Sequence, residues 1–384
     1  MKKITNKVLW IFAVGQFGWS LLSGIISSWM VYYYTGEGAV FGSAITAKPL
    51  FLSVTLFGLI TAVGRLFDAV TDPLIAGWSD ASSFKGGRRI PFMKVIAIPF
   101  AVITVGVFAF PATGSVIAND VILFITLMLF YLFMTIYCTP YNALIAELGD
   151  TQKNRINVST YISFTYIAGL SVAYLLPNLA GLFTASLGAA NAVRIAIAIL
   201  AAVAAIAMLV PSFFIRERDY IHSEPVKTKA FSSLFKSFRN KQFRRFVYSD
   251  VIYFFAVTLF QTGLAFYITR LMHASESNTF LLTVVMTVVS LCLYPVVNRL
   301  APKLGKKKII IVGFFAYAAV FLVASLCREG LWWGYLIAVL AGIPMAILGI
   351  LPQAVVADIA EADALTYGEQ RSGMFFAART FAMK

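Results

Sequence analysis

The chain has 384 residues, of which 60% are hydrophobic and only 12% are charged, and its mean hydropathy is +0.83. Charged residues are about half as frequent as the roughly 25% that is usual in soluble domains, which excludes a soluble globular protein. The net charge of +14 could suit nucleic acid, but the basic residues are concentrated in alternate loops between apolar stretches, so we expect no nucleic-acid partner.

Apolar stretches long enough for membrane-crossing helices, which need roughly 20 residues, follow one another along the chain. They predict an all-α polytopic membrane protein. An eleventh span begins near Gln370 and is still running at Lys384, so we expect the sequence to be truncated. The first ten predicted spans are residues 8–34, 49–78, 92–111, 119–147, 157–185, 190–215, 246–271, 278–300, 308–328 and 332–360.

A weak internal repeat indicates two related halves. The loop over residues 77–89 follows the second span, and the basic segment 298–308 takes the corresponding place after the eighth. Two pseudo-symmetric six-helix halves around a central loop are the plan of the major facilitator fold. We therefore expect a six-helix half over residues 1–215, a central loop over 216–245, and an incomplete second half of about four and a half helices over 246–384.

The distribution of basic residues predicts the orientation. The positive-inside rule places Lys/Arg-rich loops in the cytoplasm, so we expect a cytoplasmic N-terminus in a multi-pass protein of a bacterial inner membrane or its equivalent. The same charge favours contact with anionic membrane lipids. The basic positions are Lys2, Lys3, Lys7, Lys85, Arg88, Arg89, Lys153, Arg155, the central stretch 216–245 and Lys303 to Lys308.

Residues 231–246 of the central loop alternate phenylalanine and leucine with lysine and arginine. That pattern predicts an amphipathic helix on the cytoplasmic membrane surface. The alternative is a basic beginning to the seventh span. Because the three cysteines fall in predicted spans without CxxC spacing, and both histidines lie near loops, we expect no zinc site.

Asp68 and Asp72 lie one helical turn apart inside the second span. A carboxylate near the middle of a bilayer costs roughly 2.5–3.5 kcal/mol on insertion scales, so such residues are functional by default. Thr71 adds a hydroxyl, and Pro73 leaves the Ala69 carbonyl without its helical amide partner. Oxygen ligands suit Na⁺, whereas repulsion between two close carboxylates favours a proton. The alternative is structural, with Arg65 neutralising Asp68.

The motif around these residues resembles the glycoside–pentoside–hexuronide:cation symporter family. The resemblance rests on Arg65-x-x-Asp68-Ala-x-x-Asp72-Pro73, followed by Gly77-x-x-Asp80 and Gly-Arg-Arg-x-Pro91-Phe92. Residues 32–35, 137–147 and 368–374 agree with the family in the same order. The resemblance covers nearly the whole chain and implies a major facilitator transporter.

The resemblance also implies roles in ion binding and coupling. Asp68 and Asp72 match the paired cation-site carboxylates, and Thr135 matches a threonine that lines that site. Thr71 stands where galactoside-carrying members have asparagine, which leaves Na⁺ and H⁺ both open. Lys384 matches a lysine that links the cation and sugar sites, and Arg65 is assigned to the same coupling.

The sugar site departs from the family pattern. In the resemblance, Ser20 and Cys138 stand where galactoside carriers have acids, and Trp19 replaces a lysine. Asn142 replaces a tryptophan, and Ser163 replaces the arginine of the fifth span. Because carboxylates accept strong hydrogen bonds from sugar hydroxyls, a galactoside of the usual kind is not expected. The predicted substrate-binding residues are Trp19, Ser20, Cys138, Tyr141 and Asn142. For Trp19 and Tyr141 the alternative is helix packing.

A cytoplasmic gate is predicted from the remaining charges. The loop residues Asp80, Arg88 and Arg89 are expected to pair with acids at neighbouring span ends, and opening would break these pairs. Plain topogenic charge is the alternative. The acidic and basic partners assigned to the gate are Glu147, Asp358, Glu361 and Arg371.

These observations predict a monomeric secondary transporter rather than an enzyme. It would use Na⁺ or H⁺ as coupling ion, no organic cofactor, and a sugar-like solute carried by alternating access. A lysophospholipid transporter of the same family is one alternative. A membrane sensor or scaffold that does not transport is the other, although such a protein has no reason to keep two costly acids.

Overall fold

The structure is a computed structural model, and it describes residues 4–35, 49–51, 54–84, 86–109, 115–149, 151–220, 230–266, 277–326, 330–367 and 372–383. Two of the predicted functional residues, Arg371 and Lys384, lie outside the described residues.

Helices account for almost all of the described residues. Seven helical segments among them are apolar and long enough to cross a membrane, and one of these, Gln152–Phe214, corresponds to two of the ten predicted spans. The predicted second and seventh spans form helices but are not among the seven. The elements are α1 (Asn6–Thr35), β1 (Pro49–Phe51), β2 (Val54–Thr55), α2 (Leu56–Ala81), α3 (Ile90–Ala109), α4 (Val116–Leu148), α5 (Gln152–Ala173), α6 (Leu176–Phe214), α7 (Glu217–Tyr220), α8 (Ala230–Arg239), α9 (Lys241–Phe266), α10 (Ser277–Leu304), α11 (Lys306–Leu326), α12 (Leu331–Tyr367) and α13 (Ser372–Met383).

Two predicted boundaries were wrong. The second span begins at Leu56 rather than at residue 49, because Pro49 to Thr55 contain a short antiparallel strand pair. The fifth span ends at Ala173 rather than at residue 185, since Pro177 stands at the start of α6, where its missing amide costs nothing. The predicted break near 185–190 is instead a kink inside α6 at Gly188, whose φ of +74° suits glycine.

The predicted amphipathic helix is also shorter than expected. It ends at Arg239, and Asn240 begins a new helix by accepting hydrogen bonds from the amides of Gln242 and Phe243 at 3.0 and 3.1 Å. Leu234 and Ser237 of α8 are buried, and α8 packs against α2 and α13. The helix therefore contacts the protein core, and the basic residues after Asn240 belong to the seventh span, as the alternative interpretation has it.

Helices of the first half pack mainly on one another, with α1 against α5 and α6, and α3 against α4 and α6. In the second half α12 packs against α10 and α11. The two halves meet where α13 packs on α2 and α4, and where α12 packs on α5 and α4. The division of the chain at residues 215 and 246 stays a prediction.

The contact between α2 and α4 positions the acid pair. A Cβ at Gly64 would lie 2.5 Å from the Tyr131 ring, so the absence of a side chain there lets the helices approach closely. Asp68 and Thr135 stand one turn further along the two helices. The same register therefore brings these two side chains together.

The close approach at Gly64 can be tested by Gly64→Ala. The added methyl group must displace Tyr131, and such overpacking costs roughly 1–3 kcal/mol, more than the ~1 kcal/mol that alanine gains over glycine in a helix. We expect a lower thermal unfolding midpoint in detergent, followed by tryptophan fluorescence. Gly181→Ala in α6 is the control, because a Cβ there has no neighbour within 4 Å; an equal or higher midpoint for Gly64→Ala would contradict the packing argument.

Candidate functional site

The acid pair on α2 is buried in the helix bundle. The side chains of Asp68, Thr71 and Asp72 are 1%, 7% and 5% exposed. The Thr135 hydroxyl donates a hydrogen bond of 2.7 Å to Asp68 Oδ1, and the Thr71 hydroxyl donates one of 3.1 Å to the Asp68 carbonyl oxygen. The four residues predicted to form the cation site thus lie on two adjacent helices, with Thr135 in direct contact with Asp68.

The donor set of this site is made of hard oxygen atoms. Among the residues that the structure describes, no cluster of three or more histidine, cysteine, aspartate or glutamate side chains could hold a metal ion. Two carboxylates and two hydroxyls suit a monovalent hard cation or a proton, and they do not suit a softer transition metal. This donor set is of the chemical kind that binds a small hard cation or a proton.

Arg65 lies one turn from Asp68 and faces a cavity of about 310 Å³ between α1, α2 and α4. Its guanidinium carbon lies 5.5 Å from the centroid of the Tyr131 ring, a cation–π arrangement. The hydroxyls of Ser23, Ser27 and Thr61 also line the cavity. A cavity of mixed polar and apolar lining thus holds one permanent positive charge, one helical turn from Asp68.

Two of the predicted substrate-binding residues are fully buried in helix contacts. Ser20 Oγ donates to the Phe17 carbonyl at 3.1 Å, and a Cβ at Gly169 of α5 would lie 2.0 Å from that oxygen. The Tyr141 hydroxyl donates to the Phe12 carbonyl at 2.9 Å, and the two rings stack with centroids 4.2 Å apart. This geometry favours helix packing for both residues.

The other predicted substrate-binding residues keep some exposure. Trp19, Cys138 and Asn142 are half-buried, and the Trp19 ring lies 5.8 Å from that of Tyr166 on α5. Within the described part of the chain, Trp19 Nε1 and Gln16 Oε1 are buried without a hydrogen-bond partner. Because a buried polar atom costs free energy when it is unpaired, these two atoms are suited to bind a polar ligand.

Charges predicted for the gate meet at one end of the bundle, called here the basic-loop end. Arg89 is fully buried and pairs with Asp80 at 2.5 Å and with Glu147 at 3.0 Å, while Arg88 pairs with Glu147 at 2.6 Å. Arg89 also reaches Ser372 of α13 in the second half at 3.3 Å. Burial alone would lower the pKa of Arg89, but the Asp80 and Glu147 carboxylates raise it above its ordinary value.

Sequence reasoning missed Glu217, which holds this loop in place. Its carboxylate accepts hydrogen bonds from the backbone amides of Arg88, Arg89 and Ile90 at 2.8, 2.8 and 3.0 Å, and so caps α3 from a distant segment. Gly87 has φ +120°, and a Cβ there would lie 2.3 Å from Glu217 Oε2. No local motif signals a cap supplied from 127 to 129 residues away.

A second set of ion pairs joins the halves at the same end. Arg155 of α5 pairs with Asp358 of α12 at 2.9 Å and also contacts Glu361, while Lys306 of α11 pairs with Asp358 at 2.5 Å. The structure thus brings Asp358 to the predicted gate. Lys306 was missed, because a lysine at a span end reads as plain topogenic charge.

One further ion pair lies inside the second half. Arg379 Nε of α13 lies 2.6 Å from Oδ2 of Asp250 on α9, and Asp250 is buried. The position of Asp250 inside the predicted seventh span was the sequence signal for this ion pair, because an acid in an apolar span needs a partner. This pair links α9 and α13.

The buried Glu217 carboxyl gives a pH-dependent test. Burial, and then the Glu147 carboxylate, raise its pKa above the ordinary value although the three amides oppose the shift. An acid whose pKa is higher in the folded state stabilises the fold at low pH, and that contribution is lost as the pH rises through its folded-state pKa. The unfolding midpoint of Glu217→Gln minus that of the wild type should therefore increase as the pH rises above about 4, the ordinary pKa of a glutamate. A difference that falls with rising pH would contradict this assignment.

The ion pairs of Asp358 give a test of the gate. Asp358→Asn weakens the contacts with both Arg155 and Lys306, so hydrogen exchange at the ends of α5 and α12 should become several-fold faster. Arg299→Gln, which removes an exposed charge from neighbouring α10, is the control and should leave these amides unchanged. Equal exchange in the two variants would show that Asp358 does not hold the ends together.

Comparison with known sequences places the chain among transport proteins. The sequence model of the MFS/sugar transport protein family matches residues 11–384. The chain is 24% identical over 313 residues to the uncharacterized symporter YnaJ of Bacillus subtilis, covering 81% of this chain and 64% of that protein. It is 23% identical over 375 residues to the isoprimeverose transporter of Lactiplantibacillus pentosus, covering 94% and 72%.

A vertebrate relative is also similar. The sodium-dependent lysophosphatidylcholine symporter 1 of Xenopus tropicalis is 22% identical over 346 residues, covering 81% of this chain and 64% of that protein. The chain spans less than two thirds of the length of this relative and of YnaJ.

Solved structures with the same fold are transporters. A bacterial homologue of the iron transporter ferroportin in its outward-facing state superposes with a TM-score of 0.68 at 14% identity, covering 100% of this chain and 89% of that one. The proton:xylose symporter XylE gives 0.61 at 14% identity, covering 98% and 86%. The predicted all-α major facilitator fold is confirmed.

Proposed function

This chain belongs to the MFS/sugar transport protein family, and we propose that it is a symporter that drives a sugar-like solute across a bacterial inner membrane with a Na⁺ or H⁺ gradient. The resemblance to glycoside–pentoside–hexuronide:cation symporters is confirmed by the family match and by relatives named as symporters. Members of such a family are transporters and not enzymes.

The observation that carries the proposal is the contact between Thr135 and Asp68. It joins α4 to a buried carboxylate on α2, with Asp72 one turn away. Two carboxylates at this depth are costly as bare charges, so a bound cation or proton stabilises the site. The hydroxyls of Thr71 and Thr135 supply further oxygen ligands without adding negative charge to the site.

Coupling follows from linkage between the ion and the solute. If the bound ion raises the affinity for the solute, the solute raises the affinity for the ion by the same factor. The cavity of about 310 Å³ is lined by α1, α2 and α4, and Arg65 lines it one turn from Asp68. Since α1 also carries Trp19 and Gln16 with their unpaired buried atoms, α1 is the proposed link between solute and ion.

Alternating access requires the basic-loop end to open and close. We assign this end to the cytoplasm, in agreement with the charge distribution. The ion pairs of Arg155 with Asp358 and Glu361, and the contact of Arg89 with Ser372, hold the two halves together there. The described conformation is therefore closed at the cytoplasmic end, and rocking of the halves would break these contacts.

A sugar-like solute is supported by two observations. One relative is named an isoprimeverose transporter, and Trp19 with Gln16 offers an aromatic ring, an indole donor and an amide acceptor. A lysophospholipid is the second candidate, because the Xenopus tropicalis relative is named a lysophosphatidylcholine symporter.

Uptake into proteoliposomes tests the proposal. Labelled mono- and disaccharides, and a labelled lysophospholipid, are offered with an inward Na⁺ gradient, an inward proton gradient or neither. We expect one gradient to drive uptake, and Asp68→Asn or Asp72→Asn to abolish that drive while counterflow exchange of the solute continues. Gradient-driven uptake that persists in both variants would overturn the assignment of the coupling site.

The Thr135 hydroxyl provides a finer prediction. Thr135→Val removes a hydrogen bond to a buried carboxylate, which is worth roughly 1.5–3 kcal/mol. If Na⁺ is the coupling ion, the loss of this hydroxyl as an oxygen ligand should raise the Na⁺ concentration for half-maximal uptake. If H⁺ is the coupling ion, the loss of a bond that favours the ionised carboxylate should instead lower the proton concentration for half-maximal uptake by about tenfold or more. Thr126→Val is the matched control, because Thr126 is buried on the same helix and its hydroxyl donates to the carbonyls of Ile122 and Leu123. Equal shifts in the two variants would count against a role for Thr135.

A further inference from the structure

A second cavity, of about 850 Å³, lies at the basic-loop end of the first half. It is bounded by the end of α2, the first turns of α3, and the segment that leads from α6 into α7. We call it the α3–α6 groove. None of its lining residues belongs to the ion site or to the predicted substrate site.

The walls of the α3–α6 groove are apolar and face outward. Trp78, Val95 and Phe213 line the groove and are 57%, 73% and 60% exposed. Phe84 adds a further large apolar side chain that is 47% exposed. Such surface at the margin of a bilayer is suited to hydrocarbon.

Three cationic side chains line the same groove. Lys94 stands in the first two turns of α3, Arg216 follows α6, and Arg218 belongs to α7; all three are exposed. The Lys94 ammonium lies 4.4 Å from the centroid of the Phe213 ring, and the Arg218 guanidinium donates to the Phe84 carbonyl at 3.2 Å. Two of the three cations are thus held against the residues of the apolar walls.

Two acids also line the groove. Glu217 is 3% exposed, and its carboxylate is engaged by three backbone amides, so it offers little charge to a ligand. Asp219 is half-buried. The exposed charge of the groove is therefore dominated by the three cations.

A buried polar group points to a ligand independently of this charge. Ser212 lines the groove and is 8% exposed, and its hydroxyl has no hydrogen-bond partner within the described part of the chain. A hydroxyl in this position gains free energy from an acceptor that enters the groove.

We propose that the α3–α6 groove binds one anionic phospholipid of the cytoplasmic leaflet. An acyl chain lies along Trp78, Val95 and Phe213, the phosphate is bound by Lys94, Arg216 and Arg218, and an ester oxygen accepts from Ser212. Apolar walls of this extent exclude a free phosphate as the main occupant. The three cations favour an anionic over a zwitterionic lipid, because each lysine or arginine near an anionic surface raises the affinity roughly fivefold.

Fluorescence quenching in nanodiscs tests this site. The chain is placed in phosphatidylcholine nanodiscs that contain about a tenth of either brominated phosphatidylglycerol or brominated phosphatidylcholine. The contribution of Trp78 is isolated by subtracting the signal of Trp78→Phe. We expect the brominated phosphatidylglycerol to quench Trp78 several-fold more than the brominated phosphatidylcholine.

Two triple variants make the test specific. The first variant combines Lys94→Gln, Arg216→Gln and Arg218→Gln, and it should lose the excess quenching by phosphatidylglycerol. The control variant combines Lys241→Gln, Arg244→Gln and Arg245→Gln. It removes the same number of exposed lysines and arginines at the start of α9 and should retain the excess quenching. Circular dichroism verifies that both variants are folded. Equal quenching by the two lipids, or equal loss in the two variants, would overturn the proposal, as would complete competition by millimolar glycerol phosphate.

Discussion

The cost of holding two carboxylates inside an apolar bundle is the constraint on which the rest of this structure depends. Asp68 and Asp72 are almost fully buried, so α2 must lie close to polar groups on a neighbouring helix. Gly64 permits that approach, since the Tyr131 ring occupies the space where a side chain would stand. One turn further along, the same contact places Thr135 against Asp68. The geometry of the site thus follows from a single glycine and from the shared direction of α2 and α4.

The cost of burying charge also determines the structure of the basic-loop end, where a buried arginine must be paired. Arg89 is fully buried, and two carboxylates and two serine hydroxyls surround it. Glu217 fixes the loop that carries Arg88 and Arg89 by capping α3, and Ser372 connects the cluster to the second half. Because α2 also carries Asp80, one helix joins the acid pair to the contacts between the halves. In the proposed function, this helix is the path by which ion binding influences closure.

The sequence predicted the features that depend on composition and on short spacing. Hydropathy located most spans, and the pair Asp68 and Asp72 stood out because acids are rare in apolar helices. The end of α5 was missed, since the alanine-rich stretch around Gly188 reads as a loop although it continues as a kinked helix. Glu217 and Lys306 were missed because their partners are remote in sequence. Ser20 was assigned to the solute by resemblance and Tyr141 as an aromatic surface for a sugar, and neither kind of reasoning reports that both side chains are buried.

The central claim is that the coupling ion occupies the site between α2 and α4. Infrared difference spectroscopy of the reconstituted chain, recorded on adding Na⁺ or on lowering the pH, measures changes in carboxyl groups directly and does not need the solute. We predict a carboxyl band that responds to one of the two ions and that disappears when Asp68→Asn and Asp72→Asn are combined. A response of the same size in that double variant would contradict the account.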